Sequence, residues 1–176
     1  MTVLAPKVKV LVFPCGSEVG LEIYRSLAKD IHVELLGASS ESSNHGKYLY
    51  RDYTEGLPYI TDHTFLDVMD TLIRKRQIDY VFPTMDNVAL KLATHEKYLA
   101  CKFIGSPLET YQICCSKRLT YEMFSKIIRV PKLYQNLDDV TRWPIFLKPD
   151  CGYGSRGTRL VGSREEAQFH LSREQG

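Results

Sequence analysis

Short apolar runs and amphipathic stretches alternate along the first hundred residues. Lys7 to Phe13 (KVKVLVF) is a β-branched apolar run closed by Pro14 and Gly16, which predicts a buried strand. Glu18 to Lys29 carries Val19, Ile23, Leu27 and Ala28 at helical spacing, and His32 to Ala38 (HVELLGA) predicts a second strand. A strand, a helix and a strand within about 30 residues make a parallel crossover unit, right-handed by the usual chirality. Ser39 to Leu57 is polar and aromatic without a sustained period, so it reads as a long loop. Its length makes it a functional suspect, with disorder as the alternative. From Thr64 the period returns. Phe65, Leu66, Val68, Met69, Leu72 and Ile73 share one helix face, and Arg74, Lys75 and Arg76 suit a helix C-terminus. Tyr80 to Phe82 predicts a third strand, Asn87 to Leu99 a helix, and Lys102 to Ile104 a fourth strand. Four strands alternating with helices predict an α/β domain with a Rossmann-like parallel sheet over residues 1–106.

The pattern changes at Ser106-Pro107. Helical stretches are expected over Leu108 to Cys114 and Lys117 to Lys126, and Pro131 and the polar segment Gln135 to Arg142 then interrupt. Pro144 to Pro149 predicts a strand, with Gly157 to Val161 as its hairpin partner across a glycine-rich turn. Ser163 with Glu166 reads as a capping box for a last helix. Residues 107–176 are therefore expected to form a partial α+β lobe. One hairpin and few helices are too little to close a core of their own.

Composition narrows the partners more than the fold. The 176 residues are 44% hydrophobic and 25% charged, the balance of a soluble globular protein. A formal net charge of +2 provides no global field for nucleic acid, so any anion site must be local. Cys15, Cys101, Cys114, Cys115 and Cys151 form no CxxC and no zinc spacing with histidine, which suits free thiols in a reducing compartment. The stretch Met1 to Lys7 lacks the character of a secretion signal. No apolar run approaches the roughly 20 residues that span a bilayer. The expectation is a cytoplasmic protein without a nucleic-acid or membrane partner.

Candidate chemistry concentrates in Ile145-Phe-Leu-Lys-Pro-Asp-Cys-Gly-Tyr-Gly-Ser-Arg-Gly-Thr-Arg-Leu-Val161. Gly152, Gly154 and Gly157 let the connecting backbone take positive φ and approach a ligand closely. Successive N–H groups in such a turn make an anion nest, and Ser155 and Thr158 add hydroxyl donors. Lys148, at the end of the strand, reads as a fixed positive charge for phosphate oxygens, with Arg156 able to reach the same phosphates. The alternative is a glycine-rich hairpin with solvent-facing Lys and Arg. It is not a Walker loop, because no Gly-Lys-Ser/Thr opens a helix.

An apolar strand ending in Lys-Pro, then Gly-x-Gly-Ser-x-Gly and a second strand, resembles the ATP-grasp superfamily. Ser106 to Lys117, Leu119-Thr-Tyr-Glu122 and Val130-Pro131 are similar to the entry into its nucleotide-binding module, and Ile78 to Asp86 belongs to a segment resembling its preATP-grasp domain. The pattern is nearest to the carbamoyl-phosphate synthetase large chain and spans nearly the whole sequence. The resemblance implies that Lys148 contacts the α- and β-phosphates of ATP, and that Gly152 to Gly157 folds over them. It implies that Lys117 is a second lysine near the nucleotide, with a helix-start surface lysine as the alternative. The family usually has Asp before that lysine, where this chain has Ser116. It also implies Mg2+, held by acidic residues of a second lobe expected beyond position 176. The chain is thus expected to be a fragment, a truncated product or one half of a split enzyme, inactive alone. No metal ligand is assigned within it, and no catalytic residue is identified. The implied partners are ATP and a small carboxylate, with a homodimer or a separate C-terminal half as the open alternatives.

Two weaker candidates lie at strand ends. Pro14-Cys-Gly-Ser-Glu-Val-Gly20 offers Gly16 and Gly20 but not GxGxxG, so a tight turn is the simpler account. Asp86 follows the third strand, where a helix cap explains it as well as a substrate contact does. The resemblance implies an ATP-dependent carboxylate ligase that forms an acyl phosphate, and two other function classes stand beside it. One is a non-catalytic Rossmann-like module that binds nucleotide or metabolite. The other is an NAD-type oxidoreductase, disfavoured by the missing fingerprint.

Overall fold

The computed structural model describes residues 6–152 and 154–174; Met1 to Ala5, Tyr153 and the chain end at Gly176 lie outside the described residues. The chain divides into two compact units, Met1–Tyr111 and Gln112–Gly176.

In the first unit, β1 (Val8–Phe13), β2 (Val33–Ala38), β3 (Asp52–Thr54), β4 (Tyr80–Pro83) and β5 (Lys102–Phe103) form one parallel sheet. Their spatial order is β3-β2-β1-β4-β5. Helices α1 (Glu18–Leu27), α2 (Phe65–Arg76) and α3 (Asp86–Thr94) make the crossovers, and α4 (Leu108–Cys115) follows. β1 and β2 run in register from Val8 opposite Val33 to Val12 opposite Gly37. Side chains alternate across a strand, and here both faces are covered. Leu11, Phe13, Leu36, Ala38 and Val81 pack with Phe65, Met69 and Ile73 of α2 and with Val88 and Leu92 of α3. Val10 and Val12 face the other way, onto Cys15, Ile23 and Tyr50. The Phe13 and Phe65 rings lie 5.5 Å apart at a tilt.

The stretch 39–57 is not a plain loop. Asn44 caps a 3-10 turn, His45–Tyr48, through Gly46 N–H, and Asp52–Thr54 then adds β3 to the edge of the sheet beside β2. The sheet therefore has five strands where the apolar pattern marks four. Three residues that pair on one side only need no apolar run. Other departures are at ends. The helix expected to reach Leu99 stops at Thr94, and a 3-10 turn, Glu96–Tyr98, completes the span.

In the second unit, α5 (Lys117–Phe124) precedes a 3-10 turn at Leu137–Asp139. β6 (Ile145–Leu147) and β7 (Arg159–Val161) pair antiparallel, Phe146 opposite Leu160, and α6 (Arg164–Glu174) closes the chain. Val161 and Ala167 are fully buried where β7 meets α6. Ser163 Oγ accepts from Glu166 N–H at 3.2 Å, but the Glu166 carboxylate reaches back to Gly162 N–H at 2.7 Å. The expected capping box is shifted by one residue on its return bond.

Phe65 is 0% exposed at the centre of one core face. Phe65→Ala is expected to lower the stability of the first unit by about 3–5 kcal/mol. Urea denaturation followed by circular dichroism measures it, and an unchanged midpoint would contradict the core described here.

Candidate functional site

The hairpin turn between β6 and β7 is held open by backbone geometry. Gly154 sits at φ +62°, and Gly152 and Gly157 at +152° and +71°. At Gly154 an L side chain would be strained whatever the room around it. Ser155, at φ +56°, carries that strain, a cost of about 1–2 kcal/mol for a residue with a Cβ. Thr158 N–H donates to Ser155 O at 3.1 Å and closes the turn.

A cavity of about 170 Å³ lies against this turn, lined by Lys117, Lys148, Gly152, Gly154, Ser155 and Arg156. Thr158 and Pro149 complete its wall. Of the residues singled out from the sequence, Gly157 does not line it. Lys148 follows β6 by one residue and falls on the same face as Phe146, its Nζ 5.5 Å from that ring centroid. Lys117, the first residue of α5, is half-buried. Its Nζ donates to Asp150 O at 3.1 Å and to Gly152 O at 3.5 Å. An ammonium has three donors, so one remains for a ligand.

Asp150 organises the start of α5. Arg118 N–H donates to Asp150 Oδ1 at 2.8 Å and Ser116 Oγ–H to Oδ2 at 2.7 Å, while Lys117 N–H donates to Asp150 O at 3.1 Å. The Arg118 amide and then the Ser116 hydroxyl hold the Asp150 carboxyl below its ordinary pKa. Ser116 is itself the cap of α5, accepting from Leu119 N–H at 3.1 Å. Neither Ser116 nor Asp150 stood out as a site residue in the sequence. The only signal was the unusual serine ahead of Lys117.

A larger cleft of about 630 Å³ shares Lys117, Lys148 and Pro149 with the small cavity. Tyr121 of α5, Leu133, Tyr134, Ile145, Phe146 and Leu147 give it apolar walls. Phe146 and Leu160, paired across the hairpin, are 62% and 57% exposed. Among the described residues, no group of three or more His, Cys, Asp or Glu side chains is placed to hold a metal ion. Glu165 and Glu166 stand in the first turn of α6.

In the first unit, the Pro14–Gly20 segment folds as a tight turn. A Cβ on Gly20 would meet Cys15 O at 2.4 Å, so only glycine allows this approach of α1 to the strand end. Gly20 N–H donates to Ser17 Oγ at 3.0 Å, Ser17 Oγ–H to Thr84 Oγ1 at 2.7 Å, and Thr84 Oγ1–H to Pro14 O at 2.7 Å. This chain of hydroxyls ties β1 to β4 where the strand order reverses, the usual ligand crevice of such sheets. Met85, not Asp86, occupies the cap position of α3, and Asp86 stands in its first turn. Cys15 is buried, which pushes its thiol pKa up to about 12; Cys114 and Cys151 are exposed. No described helix is long and apolar enough to cross a membrane.

No protein-family model matches this sequence, and no curated protein matches it. Solved structures do match. The biotin carboxylase domain of Hydrogenobacter thermophilus 2-oxoglutarate carboxylase, solved with MgADP, ADP and bicarbonate, gives a TM-score of 0.71 at 17% identity. The match covers 97% of this chain and 41% of that one. The L-amino acid ligase of Bacillus licheniformis gives 0.64 at 16% identity, over 99% of this chain and 43% of its own. Pyruvate carboxylase T882A of Rhizobium etli, solved with acetyl coenzyme-A, gives 0.69 at 17% identity, over 92% and 16%. The likeness shows the fold: the chain has an ATP-grasp-like fold, corresponding to the N-terminal domains of these proteins. It spans less than half the length of each.

The thiol environments predict a labelling order. Iodoacetamide at about pH 8 is expected to alkylate Cys114 and Cys151 in the native chain and to spare Cys15 until denaturant is added. Peptide mass spectrometry reads the order, and early modification of Cys15 would contradict its burial.

Proposed function

We propose that this chain carries the phosphate-binding part of an ATP-dependent carboxylate ligase of the acyl-phosphate-forming kind. Within that group, its sequence resembles the carbamoyl-phosphate synthetase large chain. One observation carries the reading: Lys117, Lys148 and Arg156 converge with a positive-φ glycine turn on one small cavity. Backbone N–H groups and fixed cations in such an arrangement suit phosphate oxygens.

Size divides the nucleotide between the two hollows. About 170 Å³ is small for a whole nucleotide, since ligand sites commonly run from about 300 to 1,000 Å³. Phosphates belong in it, with base and sugar in the adjoining cleft against Tyr121, Tyr134 and Phe146. Lys148 and Arg156 then offset the charge on the phosphates, and Lys117 gives its one remaining donor.

In the reaction proposed, a carboxylate oxygen attacks the γ-phosphorus and the bond to the bridging oxygen of ADP breaks. An amine or other nucleophile then attacks the acyl carbon, and inorganic phosphate leaves. Residues of this chain bind and orient the phosphates. A divalent metal, when bound, would help to offset the charge on the phosphates during transfer. In this reading, acidic groups outside these 176 residues supply the metal ligands, and turnover requires them. The carboxylases and the ligase that share the fold support this class of chemistry.

Calorimetry with Mg-ATP on the chain and on Lys148→Ala tests the assignment. Loss of a charge-assisted bond is worth about 1.5–3 kcal/mol, so affinity is expected to fall about tenfold or more. Equal affinity in the two proteins would remove Lys148 and its loop from the site.

A further inference from the structure

We infer that Asp150 is a positioning residue for the phosphate-binding lysines, clamping the first turn of α5 to the root of the glycine loop. The inference rests on the nucleotide reading of that same cavity.

Three consecutive residues of α5 and its cap donate to this one aspartate, across 32 to 34 positions of sequence. They are Ser116 through its hydroxyl, Lys117 through its amide and ammonium, and Arg118 through its amide. The first turn of any helix leaves N–H groups without partners inside the helix, and a negative charge there is favourable. Ser116 satisfies one of them, at Leu119; Asp150 satisfies Arg118 from the root of the glycine loop. With serine at the cap, the carboxylate comes from the loop, and the cap becomes a cross-link.

The cross-link bears on ligand geometry because of where Asp150 sits. It is two residues past Lys148 on the same backbone, with Pro149 restricting φ between them. Holding Asp150 on α5 therefore fixes the strand end that carries Lys148 relative to the helix start that carries Lys117. The Lys117 stem would otherwise be free to rotate, but two carbonyls of the same segment hold its Nζ. The charged groups facing the Asp150 carboxylate are Lys117 and Arg118, with the Cys151 thiol 3.9 Å from Oδ2. Its close donors come from the start of α5 or from its own segment, and Asp150 borders the larger cleft rather than the small phosphate cavity.

The experiment is a double-mutant cycle on the whole chain, titrated calorimetrically with Mg-ATP and with inorganic tripolyphosphate. Asp150→Ala and Lys117→Ala are each expected to weaken both probes by about fivefold to tenfold. The double variant should lose less than the product of the two single losses, because part of what Asp150 does is to position Lys117. A purely structural cap would lower thermal stability and give additive or no losses in affinity. Because Asp150→Ala can also unsettle α5, the exchange variant Ser116→Asp/Asp150→Ser is the second arm. It keeps a hydroxyl–carboxylate bond with its ends exchanged, and it is expected to bind within about twofold of wild type. Additive losses, or an exchange variant as weak as Asp150→Ala, would overturn the positioning role alone. No binding of either probe by the wild-type chain would overturn the phosphate reading, and this inference with it.

Discussion

Between Ser116 and Asp150 a hydroxyl donates to a carboxylate at 2.7 Å, and the second unit is arranged around that bond. A two-stranded hairpin is marginal in water unless something packs against it or ties it down. Of the described residues in 112–174, only Ser116, Val161 and Ala167 are buried. Val161 and Ala167 hold the β7 side of the hairpin to α6. The β6 side depends on Asp150 and α5, so a polar contact does there what apolar burial does elsewhere. Polar contacts are directional, and a binding loop needs direction more than bulk.

The first unit shows the opposite economy. Both faces of its sheet are covered, and most of its apolar strand residues pack into one of two clusters. The crevice where the strand order reverses, between β1 and β4, is crossed by the Ser17–Thr84–Pro14 hydroxyl chain and approached closely by α1 at Gly20. That edge is closely tied, whereas the hollows of the second unit are open and cationic. The proposed phosphate binding accordingly falls to the hairpin rather than to the Rossmann-like sheet, even though sheets of this kind often bind nucleotides.

How much was legible in the sequence follows from how each feature is encoded. Strands β1, β2, β4 and β5 announce themselves by apolar residues that join the two core clusters. β3 does not, since Asp52 and Thr54 bring no apolar side chain to either cluster and the strand owes its place to backbone pairing with β2. Lys148 and the glycines were readable because a lysine beside clustered glycines is a local pattern. The Ser116–Asp150 bond was not. It joins positions 34 apart, and nothing in either local stretch names the other as its partner. Ser116 looked like a departure from the family pattern, where the structure shows a serine that borrows its carboxylate from the loop.

That borrowing also resolves an electrostatic difficulty. A carboxylate two residues from Lys148 would repel an anion if its oxygens faced the cavity, at a short distance and in partly water-excluded surroundings. Asp150 instead directs Oδ1 and Oδ2 to Arg118 N–H and Ser116 Oγ–H, where the helix start welcomes negative charge. Only its backbone carbonyl turns toward the Lys117 ammonium. The small cavity is left lined by cations, glycine backbone and hydroxyls, with no carboxylate among its walls. The same residue that fixes the lysines thus keeps its own charge out of the small cavity they line, while bordering the larger cleft beside it.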